Sequence, residues 1–114
     1  MENCIFCKII RGEAQGKIVY EDEIAIAIAD IHPQAPVHLL VVPREHIETL
    51  AATKVGDERL MGHLFRIATE LARAQGLESR GYRTVINNGA GAGQSVFHLH
   101  VHLLGGRVFH WPPG

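Results

Sequence analysis

The chain has 114 residues, 46% of them hydrophobic and 20% charged, with a formal net charge of −1 at pH 7. That is enough apolar material for one domain spanning 1–114 and too little for two. Near-neutral charge, with acids and bases interspersed, argues against a basic face built to track a nucleic-acid polymer, and no apolar stretch reaches the length of a membrane span. The first residues carry no basic segment followed by a long apolar one, which sets the expectation of a cytoplasmic protein.

Residues 7–10 suit a turn or two of helix that Gly12 ends. Residues 17–20 and 24–30 are β-type runs flanking Glu21-Asp22-Glu23 and read as a hairpin, although no strong turn dipeptide joins them. Pro33 and Pro36 break the chain, and 38–43 is an apolar run of the length of a buried, central strand. Between Asp57 and Gln75 the apolar residues Leu60, Met61, Leu64, Phe65, Ala68, Leu71 and Ala72 recur at spacings that put them on one side of a helix. Asp57 is placed to cap its start and Gly76 to end it. The last strands are predicted over 82–87 and 97–104, joined by a glycine-rich loop at 88–95. Strands joined by short turns, with one long helix inserted, predict an α+β fold: an antiparallel sheet of about five strands, one long helix and a short N-terminal helix.

The most informative pattern is His98-Leu99-His100-Val101-His102-Leu103. In an extended strand alternate side chains share a face, so three imidazoles would line one side and three apolar residues the other. Such a row is too long for one metal ion to reach every member. Imidazole serves as nucleophile, general acid or ligand near pH 7 according to its neighbours, and the row reads as a division of these tasks. The competing reading is a solvated strand face without a role. His100, flanked on both sides, suits a nucleophile whose second nitrogen is held by an acceptor.

The glycines from Gly89 to Gly93 let backbone N–H groups converge as phosphate ligands do, against the plain alternative of a flexible connection. Gln94 and Ser95 add donors at the loop's end, and the Ser95 hydroxyl is placed to orient or protonate a leaving group. Cys4 and Cys7 have the spacing of a zinc knuckle, with His46 and one histidine of the row as candidate partners; a redox dithiol and two inert thiols are the rival readings. Asp30 and Ile31, at a strand end, suit a ribose and a base, or simply a turn. His38 opens an apolar strand, where a lone histidine is usually a satisfied structural group, and His32, His63 and His110 look ordinary.

The segment Asp30-Ile31-His32-Pro33-Gln34-Ala35-Pro36-Val37-His38, the run Gly93-Gln94-Ser95-Val96-Phe97-His98-Leu99-His100-Val101-His102 and the ending Gly105-Gly106-Arg107-Val108-Phe109-His110-Trp111-Pro112-Pro113-Gly114 together resemble the histidine triad superfamily. The Trp-Pro-Pro-Gly ending resembles its nucleotide-binding, Hint-like branch. The resemblance covers nearly the whole chain. It implies a homodimer whose two sheets join, with the long helix at the interface, and a purine nucleotide, AMP or GMP, at each site. It implies hydrolysis of nucleoside 5′-phosphoramidates, adenylated lysine among them, through a nucleotidyl-histidine on His100. His102 would contact phosphate and help protonate the departing amine, His38 would orient the neighbouring imidazoles, and Ser95 would assist the leaving group. Asn87 and Gly93 would hold the phosphate, Asp30 the ribose hydroxyls, Ile31 would lie beside the base, and Trp111 would shape the partner's leaving-group pocket. The cysteine pair resembles that of bacterial relatives that bind zinc with two further histidines, which maps a structural Zn2+ onto Cys4, Cys7, His46 and His98. Dinucleoside polyphosphate hydrolysis and a nucleotide-binding adapter without turnover are the competing functions.

Overall fold

A computed structural model describes residues 3–114. The first helix, α1, runs Ile5–Ile10 and starts earlier than expected because Cys4 is its N-cap: the Cys4 sulfur accepts the Cys7 N–H. β1 (Ile18–Glu21) and β2 (Ala25–Ala29) form the expected hairpin. In place of a strong turn dipeptide, one carboxylate oxygen of Asp22 accepts the N–H groups of both Ile24 and Ala25, so a side chain closes the turn. β3 (Val37–Pro43) pairs antiparallel with β2 on one side and with β5 (Val101–Gly105) on the other, so it is central as predicted. β4 (Tyr82–Val85) pairs with β5, giving a five-stranded antiparallel sheet in the order β1-β2-β3-β5-β4. The α+β class predicted from the element order holds.

Helix α2 (Glu58–Ala74) spans the predicted segment after two short 3-10 turns, Leu50–Ala52 and Val55–Asp57. Asp57 stands at its N-cap, but the carboxylate turns back to accept the Lys54 N–H and does not cap the helix. The far end closes as predicted: Gly76 lies at φ +72°, its N–H reaches the Arg73 carbonyl and the Leu77 N–H reaches the Ala72 carbonyl. This paired closure needs the left-handed conformation that glycine adopts without cost. It also drops Leu77 into the core beside Ala72, Leu39 and Leu103. A side chain at Gly105 would meet the Leu77 methyl groups at 2.5 Å, so the end of β5 is glycine for want of space.

The two faces of the sheet bury different sequence patterns. In β2 the residues alternate Ala-Ile-Ala-Ile-Ala. Ala25 and Ala27, with Val41, Leu99 and Val101, let α2 sit close and pack Leu64, Ile67 and Ala68 against them. Ile26 and Ile28, with Leu40 and Val42, meet Phe6 and Ile9 of α1 on the opposite face. His38 and His102 belong to that second face by register, since His102 pairs with Leu40 and His38 with Leu104. The shorter helix therefore leaves part of its face open, and there the polar side chains collect. Among the described residues, no helix is long and apolar enough to cross a membrane.

Candidate functional site: a histidine cleft joined to a thiol–imidazole cluster

The structure corrects the predicted strand over 97–104. β5 begins at Val101, so His98, Leu99 and His100 lie ahead of it and only His102 is in the ladder. The alternation survives all the same: Leu99, Val101 and Leu103 are buried on the α2 side, while the Phe6 ring makes T-shaped contacts with both His98 and His100, with centroids 5.8 and 5.1 Å apart. The strand stops short because the Leu99 N–H bonds to the Ile47 carbonyl, outside the sheet. This irregular entry lets His98 turn away from His100 and His102.

His100 and His102 line one cavity of about 320 Å³ with Asp30, Ile31, Gly93 and Ser95, walled by apolar side chains that include Phe6 and Ile28. That volume is near the lower end for small-molecule sites. The rings of His100 and His102 are 4.9 Å apart, and those of His38 and His102 are 5.2 Å apart. Their hydrogen bonds determine which nitrogen carries the proton. The Gln34 N–H donates to His38 Nδ1 at 3.0 Å, so the proton of neutral His38 is on Nε2. That Nε2 stands 2.9 Å from His102 Nδ1 and 3.3 Å from an Asp30 carboxylate oxygen. His102 thus accepts at Nδ1 and carries its own proton on Nε2. His100 Nδ1 is 2.7 Å from the His98 carbonyl, which can only accept, so its proton is on Nδ1 and its Nε2 keeps a lone pair. One imidazole is left with a bare nitrogen and its neighbour with an N–H.

Burial keeps the set neutral. It lowers the pKa of His38 and of His100, although Asp30 pulls both upward. His102 is pushed down to about 4, chiefly by burial and then by His100 and His38 beside it. Asp30 also uses its other carboxylate oxygen to accept the His32 N–H, which holds it at the cavity rim. Ile31 is largely exposed there, with 84% of its surface accessible.

Other predicted residues fall differently. The side chain of Gln94 is occupied: its amide donates to the Glu48 and Val96 carbonyls and its oxygen accepts the Gly89 N–H, so it braces the glycine loop and has no donor to spare for phosphate. Asn87 lies beyond the end of β4 and is not part of the cavity lining. Trp111 is 83% exposed on the C-terminal tail and is likewise outside the lining. Sequence reasoning missed Phe6 and Gln34. A phenylalanine in a short helix has no distinguishing signal, and Gln34 acts through its backbone.

Beside the cleft, Cys4, Cys7, His46 and His98 converge, each offering a donor atom within 4.8 Å of the others. His98 Nδ1 is 3.3 Å from Cys4 Sγ, 3.5 Å from Cys7 Sγ and 3.1 Å from His46 Nδ1, and Cys7 Sγ is 3.2 Å from His46 Nδ1. A zinc tetrahedron, with Zn–S near 2.3 Å and Zn–N near 2.0–2.1 Å, has edges of roughly 3.3–3.8 Å. The donor set fits such an ion in identity and span. His98 fits in protonation too, because its Nε2 donates to the Pro43 carbonyl at 2.8 Å and leaves Nδ1 bare toward the cluster. Burial, then the influence of Cys4, raises the pKa of the Cys7 thiol. His98, fully buried, is pushed down to about 4 by burial, with His46 and His100 adding to it. The backbone of His98 meanwhile holds His100, so a single residue joins the two groups.

Fold and site together define a class: an α+β sheet protein with a cleft of interlocked neutral histidines and, alongside it, a donor set for a metal ion. The HIT domain family matches residues 11–109, and the chain belongs to that family. It is 51% identical to a HIT-like protein of Synechocystis over 113 residues, 99% of this chain and 98% of that one. The structure of a HIT family hydrolase from Legionella pneumophila superposes with a TM-score of 0.96 at 48% identity, covering 98% of this chain and all of the other. A zinc-bound histidine triad family protein from Mycobacterium smegmatis is 33% identical, with a TM-score of 0.79 over 93% of this chain and 76% of its own.

Proposed function

We propose that the chain is a purine-nucleotide hydrolase that cleaves nucleoside 5′-phosphoramidates, with His100 as nucleophile. The observation that carries this reading is the proton order of the cleft, a bare Nε2 on His100 beside a protonated Nε2 on His102. His100 Nε2 attacks the α-phosphorus, the P–N bond breaks, and the amine leaves with a proton supplied through His102 or the Ser95 hydroxyl. Water then attacks the nucleotidyl-histidine, releasing the mononucleotide and restoring the imidazole. His38 is a positioning residue, since it fixes the tautomer of His102 and touches no reacting atom. Asp30 takes the ribose hydroxyls, Ile31 and the apolar wall take the base, and the backbone around Gly93 takes the phosphate. Asn87 is assigned to the phosphate and Trp111 to the leaving-group pocket of a partner subunit on the family resemblance alone.

The cluster of Cys4, Cys7, His46 and His98 is proposed to hold one structural Zn2+. The ion would bind α1 and the approach to β5 together, and so hold the carbonyl that orients His100. A homodimer is also proposed; Phe65 on α2 and Tyr82 on the edge strand β4 are exposed where such an interface would cover them. Sedimentation at micromolar concentration tests it, and a monomeric mass rejects it.

Hydrolysis of an adenosine phosphoramidate, compared with diadenosine polyphosphates, tests the activity with AMP release as readout. Turnover of the phosphoramidate that disappears in His100→Ala supports the proposal. Preference for the dinucleotides moves the chain to polyphosphate hydrolysis, and tight AMP binding without turnover makes it an adapter.

A further inference from the structure

The chain has eight arginines. Arg11, Arg44, Arg66 and Arg73 pair with carboxylates. Among the described residues, Arg59, Arg80, Arg83 and Arg107 have no carboxylate partner. Three of these four, Arg80, Arg83 and Arg107, line one cavity of about 370 Å³ where β4 meets the end of β5 and the tail. No acidic side chain lines it, and it shares no residue with the histidine cleft.

Two of the three charges are held in place. The guanidinium carbons of Arg83 and Arg107 stand 5.1 and 4.2 Å from the centroid of Phe109, within cation–π range. Arg83 donates to the His110 carbonyl at 2.8 Å, and Arg107 donates to the carbonyls of Gln34 and Val108 at 2.9 and 3.0 Å. Tying down the tail explains these few bonds. It does not explain the surplus: a guanidinium has five donors, of which Arg83 commits one and Arg107 two. Arg80 makes no side-chain hydrogen bond among the described residues. Three like charges around one acid-free concavity repel each other, and an oxyanion relieves that repulsion while using the free donors in bidentate fashion.

We infer that this cavity is an oxyanion site, separate from the histidine cleft, that takes a phosphate group. It stands independently of the proposed chemistry, because no residue of the histidine cleft lines it; Tyr82, which does, also belongs to the proposed dimer face. Inorganic phosphate, titrated at constant ionic strength and followed by amide and arginine Nε–H resonances, tests it. Saturable shifts are expected at Gly81, Tyr82, Gly106 and Val108, whether or not Gly93 and Ser95 in the histidine cleft also respond. Arg80→Gln and Arg83→Gln should each weaken binding at the first group by about tenfold, the worth of one charged hydrogen-bonding partner. Both should leave the Gly93 and Ser95 response unchanged, and thermal melts report whether each variant is folded. Two variants are used because Arg83 also anchors the tail whereas Arg80 does not. Glycerol phosphate in parallel separates the sources: an ester that binds as well as the free ion assigns phosphate esters, and a weaker one assigns inorganic phosphate. Equal shifts with chloride, a response confined to Gly93 and Ser95, or variants that bind as the wild type does would each overturn the inference.

Discussion

His98 and His100 are two positions apart, both buried, and face opposite tasks. His98 gives its Nε2 proton to the Pro43 carbonyl and turns Nδ1 to two thiols and an imidazole. His100 gives its Nδ1 proton to the His98 carbonyl and turns Nε2 to an open cleft. The same side chain presents Nδ1 or Nε2 as its bare nitrogen according to which one a backbone carbonyl occupies. Position along the chain does not make the difference; the acceptor does.

The largest test of this contrast is the loss of the reactive nitrogen. His100→Ala should lower turnover of a phosphoramidate by about a thousandfold or more while nucleotide binding stays measurable, a split read from kcat and Kd. Next comes the proton order. His102→Gln removes the proposed acid and should lower kcat by about 10²- to 10⁴-fold, the usual worth of a general acid. Gln34→Pro, which deletes the N–H that sets the His38 tautomer, should reach the same step with a smaller loss. If Gln34→Pro lowers kcat no more than it lowers the melting temperature predicts, the tautomer argument fails.

On the ligand side, Cys7→Ser or exhaustive chelation should remove about one equivalent of zinc per chain and lower the melting temperature, because metal binding is coupled to folding. Elemental analysis that never finds zinc in protein purified without chelator would end that half of the contrast. The acid response should be gentler. His102 has a folded-state pKa near 4, below the ordinary histidine value of about 6.5, so in that interval the unfolded chain binds more protons. Stability is therefore full above pH ~6.5 and declines as pH falls toward 4. The melting temperature of His102→Gln should fall less steeply across that window. Smallest of all, His63→Ala removes a half-exposed partner of Asp22, 2.8 Å away and outside both groups. The change should cost about 0–1 kcal/mol in chemical denaturation and leave turnover unaltered. The Asp22 carboxyl itself is held well below its usual range: partial burial opposes this, but bonds from Tyr20, Ala25, His63 and Ile24 prevail.

Much of the fold was legible because periodicity is local. The alternation of alanine and isoleucine in β2, the three-and-four spacing of α2 and the glycine that closes it are all readable within a few residues of chain. The hairpin turn was less so, since Asp22 replaces a turn dipeptide with side-chain acceptors. The start of β5 is not legible in the sequence because alternation continues through His98 and His100 while the ladder does not. Gln94 reads as a phosphate donor in the sequence because its amide has donors; in the fold three backbone groups, one of them the Glu48 carbonyl 46 positions away, occupy it.

By itself the sequence determined which chemistry was present: paired thiols, a histidine row with apolar residues between, and glycines ahead of it. Tertiary structure alone decided how that chemistry is divided. The proton on His98 is placed by a carbonyl 55 positions away, and that on His102 by a histidine 64 positions away. Arg80, Arg83 and Arg107 meet only because β4 and the tail come together at the end of β5. Hydrogen-bond acceptors and like charges act over a few ångströms of space, and that nearness is created by the antiparallel register, which no local pattern specifies.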